Sequence, residues 1–138
     1  MTREQFPDIV IEAAEGGAVL VEVKGQPRRG DTLSQIRRQL KAYLEEHAGT
    51  PPAFTVIVDP QTIRFFRNTN LEQTVQELNT VEILKHYDAG LGEKRVFEPY
   101  LVALTEAWLN DLAVHWKGGR APGEDDVPAG FLEVLRAA

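Results

Sequence analysis

The chain reads as an α/β protein, a mixed sheet of about four strands with helices packed on it. Three observations predict this. Four short runs rich in Val, Ile and Phe, at 8–13, 18–24, 53–58 and 62–67, have the length and composition of strands. A stretch of helical periodicity separates the second run from the third, and a crossover of that kind lets those two strands lie parallel. From residue 70 onwards the periodicity is mainly helical, which supplies layers to cover the sheet.

Taken in order, DIVIEA at 8–13 and AVLVEVK at 18–24 are joined by Glu15-Gly16-Gly17, a hairpin signal. Burial of one clean apolar face selects a three-residue loop, with Ala14 opposite Ala18 and Asp8 opposite Lys24. One face then carries Ile9, Ile11, Ala13, Val19, Val21 and Val23; the other carries Asp8, Val10, Glu12, Leu20, Glu22 and Lys24. Asp31 or Thr32 can cap a helix reaching about His47, with Leu33, Ile36, Leu40 and Tyr43 or Leu44 along its apolar stripe. Gly49, Pro51 and Pro52 end it. AFTVIV at 53–58 is too continuous to be half exposed. Asp59-Pro60-Gln61 is a turn, and Thr62 to Arg67 the return strand.

Residues 70–88 read as one or two short helices, capped at Thr80 and stopping near Gly90. Pro99 suits the first turn of a long helix from about Phe97 to Trp116. Residues 118–128 form a polar linker, and a short helix over 129–136 follows. The whole, 1–138, is expected as one domain with its core at 6–67 and a helical part at 70–136.

Composition narrows the chemistry. The chain has no cysteine, which excludes disulfides, thiolate zinc sites, iron–sulfur clusters and thiol nucleophiles. No apolar run approaches the ~18 residues of a membrane helix, and the first residues do not read as a signal peptide, so no membrane association and a cytoplasmic location are expected. Hydrophobic residues make up 43% and charged residues 26%, the balance of a folded domain. The net charge of −6 argues against wholesale electrostatic binding of nucleic acid. It hides a local excess: Lys24, Arg28, Arg29, Arg37, Arg38 and Lys41 stand against Asp31 alone.

That basic window begins at the most suggestive motif. Strand alternation puts Glu22 and Lys24 on one face, and the hairpin brings Asp8 to the same face. Two carboxylates, with the backbone carbonyl of Val23 as a third oxygen, form a hard-ligand set for Mg²⁺, with Mn²⁺ as substitute. A neighbouring ammonium can orient or deprotonate a water, or steady phosphorane charge. Phosphodiester hydrolysis needs this combination. Each residue also has an ordinary role: Asp8 in a turn, Glu22 and Lys24 as a surface ion pair, Gln39 on a solvent face, Tyr43 at a core edge, Arg28 and Arg29 as loop charges. His47, His86 and His115 are isolated, and Trp108 and Trp116 fall at packing positions.

Pro7-Asp8, then Glu22-Val23-Lys24, then Gln39-Leu40-Lys41-Ala42-Tyr43 resembles the PD-(D/E)XK nuclease superfamily, in its RecB-like branch with a QxxxY motif. Over residues 6–67 the chain is similar to the N-terminal nuclease domain of type I restriction motor subunits and to small stand-alone relatives. The resemblance implies a restriction-endonuclease-like fold and a metal-dependent deoxyribonuclease. Asp8 and Glu22 would hold the metal, Lys24 would serve the water, and Gln39 and Tyr43 would lie over the site to help place substrate or the lysine. Arg28, Arg29 and Arg38 would meet the backbone of DNA. Many family members carry a further acid on a helix ahead of the first motif. Only six residues precede Pro7; Glu4 is the one candidate there, and Glu12 lies about 13 Å from Asp8 along an extended strand. A single metal, a ligand from another chain, or a site without turnover are the resulting options. A catalytically inactive binding or scaffold protein, or a subunit of a restriction or repair complex whose partner binds DNA, is the alternative function.

Around the long C-terminal helix, Phe97, Tyr100, Leu101, Leu104, Trp108 and Leu112 form a stripe toward the sheet, and Val102, Leu109, Ala113 and Trp116 continue it sideways. The arc spans about 200°, more than one packing face needs. It predicts a homodimer, unless the helices at 70–88 and 129–136 cover the second set.

Overall fold

The structure is a computed structural model and describes residues 6–13, 17–27, 30–46 and 52–138. The elements are β1 (Ile9–Glu12), β2 (Ala18–Val23), α1 (Gly30–Glu46), β3 (Phe54–Val58), β4 (Thr62–Arg67), β5 (Gln76–Asn79), α2 (Thr80–Leu84), α3 (Glu98–Val114) and α4 (Phe131–Arg136). A 3-10 turn occupies Leu91–Glu93. The strands form one mixed sheet in the spatial order β1-β2-β3-β4-β5, five strands where four were expected. The pair β2–β3 is parallel, spanned by α1, and the other pairs are antiparallel.

Alternation along the strands sorts side chains into two layers. Val19, Val21, Val23, Val56, Val58, Ile63 and Phe65 meet α2, α3 and α4 in the larger core, with Trp108, Leu112 and Phe131 across from them. Leu20, Ile57 and Phe66 meet Ile36 and Leu40 of α1 in a smaller one. All of β2 and β3 is therefore buried, as a parallel pair covered on both faces requires.

The hairpin differs from expectation in register but not in faces. Ile9 pairs with Val21 and Glu12 with Ala18, so continuing the ladder sets Asp8 opposite Glu22 rather than Lys24. The loop keeps three residues but lies one residue earlier, between Ala13 and Gly17, where the Ala13 N–H donates to the Gly17 carbonyl at 3.0 Å. A shift of two leaves every side chain on its predicted face. Ala14 lies outside the described residues.

Other boundaries move for local reasons. Helix α1 starts at Gly30, so Asp31 and Thr32 fall in its first turn instead of capping it. Within 70–88 the first half is the edge strand β5. The cap of α2 is Asn79, whose side chain accepts from the Glu82 N–H, while the buried Thr80 hydroxyl donates to the Asp59 carbonyl at 2.7 Å. Residues 118–128 are not a linker. The Trp108 indole donates to the Pro122 carbonyl at 2.8 Å. Glu124 is buried and takes His115 at 2.6 Å, the Ala121 N–H at 3.2 Å and Arg136 at 3.4 Å.

The long helix also hides more than its stripe suggested. Leu109 is 3% exposed within the chain, in one cluster with Ile83 and Leu84 of α2 and Leu135 of α4. Trp116 lies against Tyr87, with centroids 5.8 Å apart, and donates to the Ala107 carbonyl at 2.8 Å. Of the second apolar set, Leu109 is buried, Val102 and Ala113 are half buried, and Trp116 is 51% exposed. Phe97, which precedes the first helical residue, and Tyr100 are also exposed.

Two outcomes follow. Leu109→Glu places a charge in the core and should unfold the chain, at a cost of about 3 kcal/mol or more. A variant that kept parental stability in urea and changed only its sedimentation would instead put Leu109 between copies. Glu124→Ala leaves the groups around 118–128 without their shared acceptor, and a loss of about 1–3 kcal/mol is expected. An unchanged urea midpoint would detach that segment from the cooperative fold.

Candidate active site

The hairpin register assembles the site. The Asp8 N–H donates to Glu22 Oε1 at 3.3 Å, and the Val23 N–H donates to Asp8 Oδ2 at 2.7 Å. Lys24 Nζ lies 3.0 Å from Glu22 Oε2, with 14% of the lysine side chain and 5% of the glutamate exposed. In a regular strand the N–H and C=O of one residue point to the same edge. The Val23 N–H turns toward Asp8, so its carbonyl does too, while the Lys24 N–H turns the other way to the Val58 carbonyl at 2.8 Å. Asp8, Glu22 and the Val23 carbonyl thus gather at the β1 side of the end of β2.

Burial and the neighbouring Asp8 push the Glu22 carboxyl from 4.5 up to about 8, burial being the larger cause; Lys24 offsets part of this.

The residues on α1 divide. The Gln39 amide oxygen is buried and, among the described residues, has no hydrogen-bond partner. Tyr43 is half buried and meets Phe6 edge-on, with centroids 6.3 Å apart. Arg38 and Lys41 are exposed, and no described hydrogen bond or ion pair joins either to the carboxylates. Arg28, Arg29 and Glu4 lie outside the described residues, and Glu12 is exposed on β1.

Sequence spacing gave no notice of two further contributions. The β2–β3 register pairs Val23 with Val58, so the next residues, Lys24 and Asp59, are neighbours on the α1 face. Asp59 is 4% exposed, and its Oδ1 accepts from Gln61 N–H at 2.7 Å and Thr62 N–H at 2.8 Å. From the far end of the chain, Glu98 Oε1 accepts from the Gly25 N–H at 2.8 Å. A side-chain carbon on Gly25 would lie 3.2 Å from Glu98 Cβ, so this approach of α3 to the end of β2 uses the missing side chain. Beside Lys24 opens a cleft of about 440 Å³, walled by the Gly25–Pro27 loop, Thr32 and Gln35 of α1, and Arg95 to Glu98. An isolated Asp59 and a stretch seventy residues downstream carry no local signal for this site.

The donors suit a hard divalent cation. Two carboxylates and a carbonyl leave positions for waters and a phosphate, the manner in which Mg²⁺ is commonly held. Among the described residues no three His, Asp, Glu or Cys side chains converge. No described helix is long and apolar enough to cross a membrane. Compared with family models, curated proteins and solved structures, the chain matches none.

The raised Glu22 carboxyl has a stability consequence. The native state keeps a proton that the unfolded chain releases near 4.5, so stability falls as pH rises from there to about 8. Without divalent metal, Glu22→Gln should gain on the parent in melting temperature steadily across that window. Parallel curves for the two proteins would remove the assigned cause.

Proposed function

We propose that the chain is a divalent-metal-dependent nuclease of the PD-(D/E)XK type that hydrolyses phosphodiester bonds in DNA. The observation that carries this reading is the part-buried cluster of Asp8, Glu22 and Lys24, linked through Glu22 by the hairpin register and the strand end. A structural ion pair would need Lys24 and Glu22 alone. The second carboxylate, set against Glu22 at the cost of its ionisation, is what a cation site requires. Bound Mg²⁺ would supply charge neutralisation at the phosphate and a more acidic water.

The chain's own groups then have distinct work. Asp8, Glu22 and the Val23 carbonyl would hold the cation. Lys24, now 3.0 Å from Glu22 Oε2, would present its ammonium to water or phosphate. The unpartnered Gln39 oxygen is a ready acceptor for a lysine, a water or a substrate donor. Tyr43 completes the motif on the same helix.

A second reading has one observation in its favour. No third acidic or histidine side chain joins the pair among the described residues, as in a nuclease fold kept for binding without turnover. A subunit that depends on a partner for DNA is the other form of this reading, since no described bond joins the exposed Arg38 or Lys41 to the cluster.

Metal titrations and cleavage assays separate these. Mg²⁺ or Mn²⁺ should raise the melting temperature by several degrees at saturation, and more at pH 8 than at pH 6, because the cation displaces the Glu22 proton. Asp8→Ala and Glu22→Ala should each abolish the shift; parental responses from both would place the metal elsewhere. Lys24→Ala should keep the shift and lower cleavage of single-stranded, duplex or branched DNA by roughly 10²- to 10⁴-fold. A metal shift in the parent with no cleavage of any of these substrates favours the binding reading.

A further inference from the structure

We propose that Phe97 and Arg95, at the lip of the cleft beside Lys24, form a stacking platform for an unpaired nucleotide of a DNA strand. This deepens the nuclease reading and rests on it for the identity of the ligand.

Phe97 directly precedes α3 and does not join the core. Its side chain is 68% exposed, whereas five apolar residues of the following helix are buried. The Arg95 guanidinium lies over the ring, 5.8 Å from its centroid, and among the described residues no carboxylate pairs with it. Its neighbour Lys94 is held by Asp88 at 2.6 Å, so Arg95 is the cation of this stretch left to meet a ligand. The two side chains and Lys24 line the same 440 Å³ cleft. That volume suits one small ligand unit. Among the described residues Glu98 is the only acid in the cleft's walls, and one of its oxygens is taken by the Gly25 N–H.

An aromatic face, an unpaired guanidinium and side-chain amides match a nucleotide group by group: base to ring, phosphate to cation, base edge to Gln35. A lone exposed ring among polar groups offers too little apolar area for a protein partner. The commitment to an unpaired nucleotide follows from stacking itself, since a base in a duplex has both faces covered and must leave the helix to meet Phe97. Because Lys24 lines the same cleft and also bonds Glu22, a strand held on the platform is led to the carboxylates.

Fluorescence anisotropy with a short labelled single-stranded DNA and its duplex, in buffer free of divalent metal, tests this. Phe97→Ala should weaken single-strand binding about tenfold and leave duplex binding nearly unchanged. Phe97→Trp should restore it. Arg95→Ala should lower the salt dependence by about one unit of log–log slope. Parental single-strand affinity in Phe97→Ala, equal losses for both DNA forms, or no measurable affinity in the parent would each overturn the platform. Cleavage with Mg²⁺ is measured on the same proteins. Cleavage by a parent whose affinity ignores Phe97 rejects the platform and keeps the nuclease. A Phe97-dependent affinity without any cleavage keeps the platform and rejects the nuclease.

Discussion

Every residue of β2 is buried, and so is every residue of its parallel neighbour β3. On such a pair each side chain must be matched to one of two helical layers, and the alternation of the strand decides which. Val19, Val21 and Val23 go to α3 and α4, while Leu20 and Glu22 go to the α1 side. Glu22 is thereby a carboxyl under a helix, in a place that suits an apolar residue. Its burial can be sustained only by polar neighbours, and the hairpin supplies Asp8 while the strand end supplies Lys24. The tight geometry of the cluster and the raised Glu22 carboxyl both follow from that one constraint.

The same end of β2 is where the two halves of the chain meet. Gly25 lets the first turn of α3 approach, and Glu98 fastens it to the Gly25 N–H. Helix α3 is anchored at its other end as well. His115, in the left-handed conformation with φ of 51°, turns the chain so that Trp108, Glu124 and Arg136 tie 118–128 and α4 back onto the helix. Helix α3 is therefore anchored at both ends, and Phe97 directly precedes its first turn, with Arg95 two residues before. Placing recognition groups on segments positioned by rigid elements is a general way to combine reach with precision.

Mixed sheets leave edges, and here both are short. β1 and β5 are four residues each and half buried in alternation. The inner layer of β5 pairs Leu78 with Ile63, while on the other layer Glu77 faces Arg64 at 2.6 Å. Charge on the outer strand is a common protection against pairing with another chain. It also made β5 hard to read, since QELN has no β-branched residue.

Local periodicity determined much of this protein before any tertiary contact. The bounds of β4, the positions of β3, α1 and α3, the parallel β2–β3 pair and the face shared by Asp8, Glu22 and Lys24 all depend on two-residue or helical repeats, and those repeats are written in neighbouring residues. Register was only half legible: burial fixes parity, and parity is unchanged by a slip of two, so the pairing of Asp8 with Glu22 awaited the turn. The strand β5, the packed segment 118–128 and the covering of Leu109 depend on partners distant in the chain, which no local pattern encodes. For the same reason Asp59, Glu98 and Arg95 gave no signal of the site, and Phe97 read as a packing residue although it is exposed. Their places at the site come from strand register and from the docking of α3 on the end of β2, and only the tertiary structure decides those.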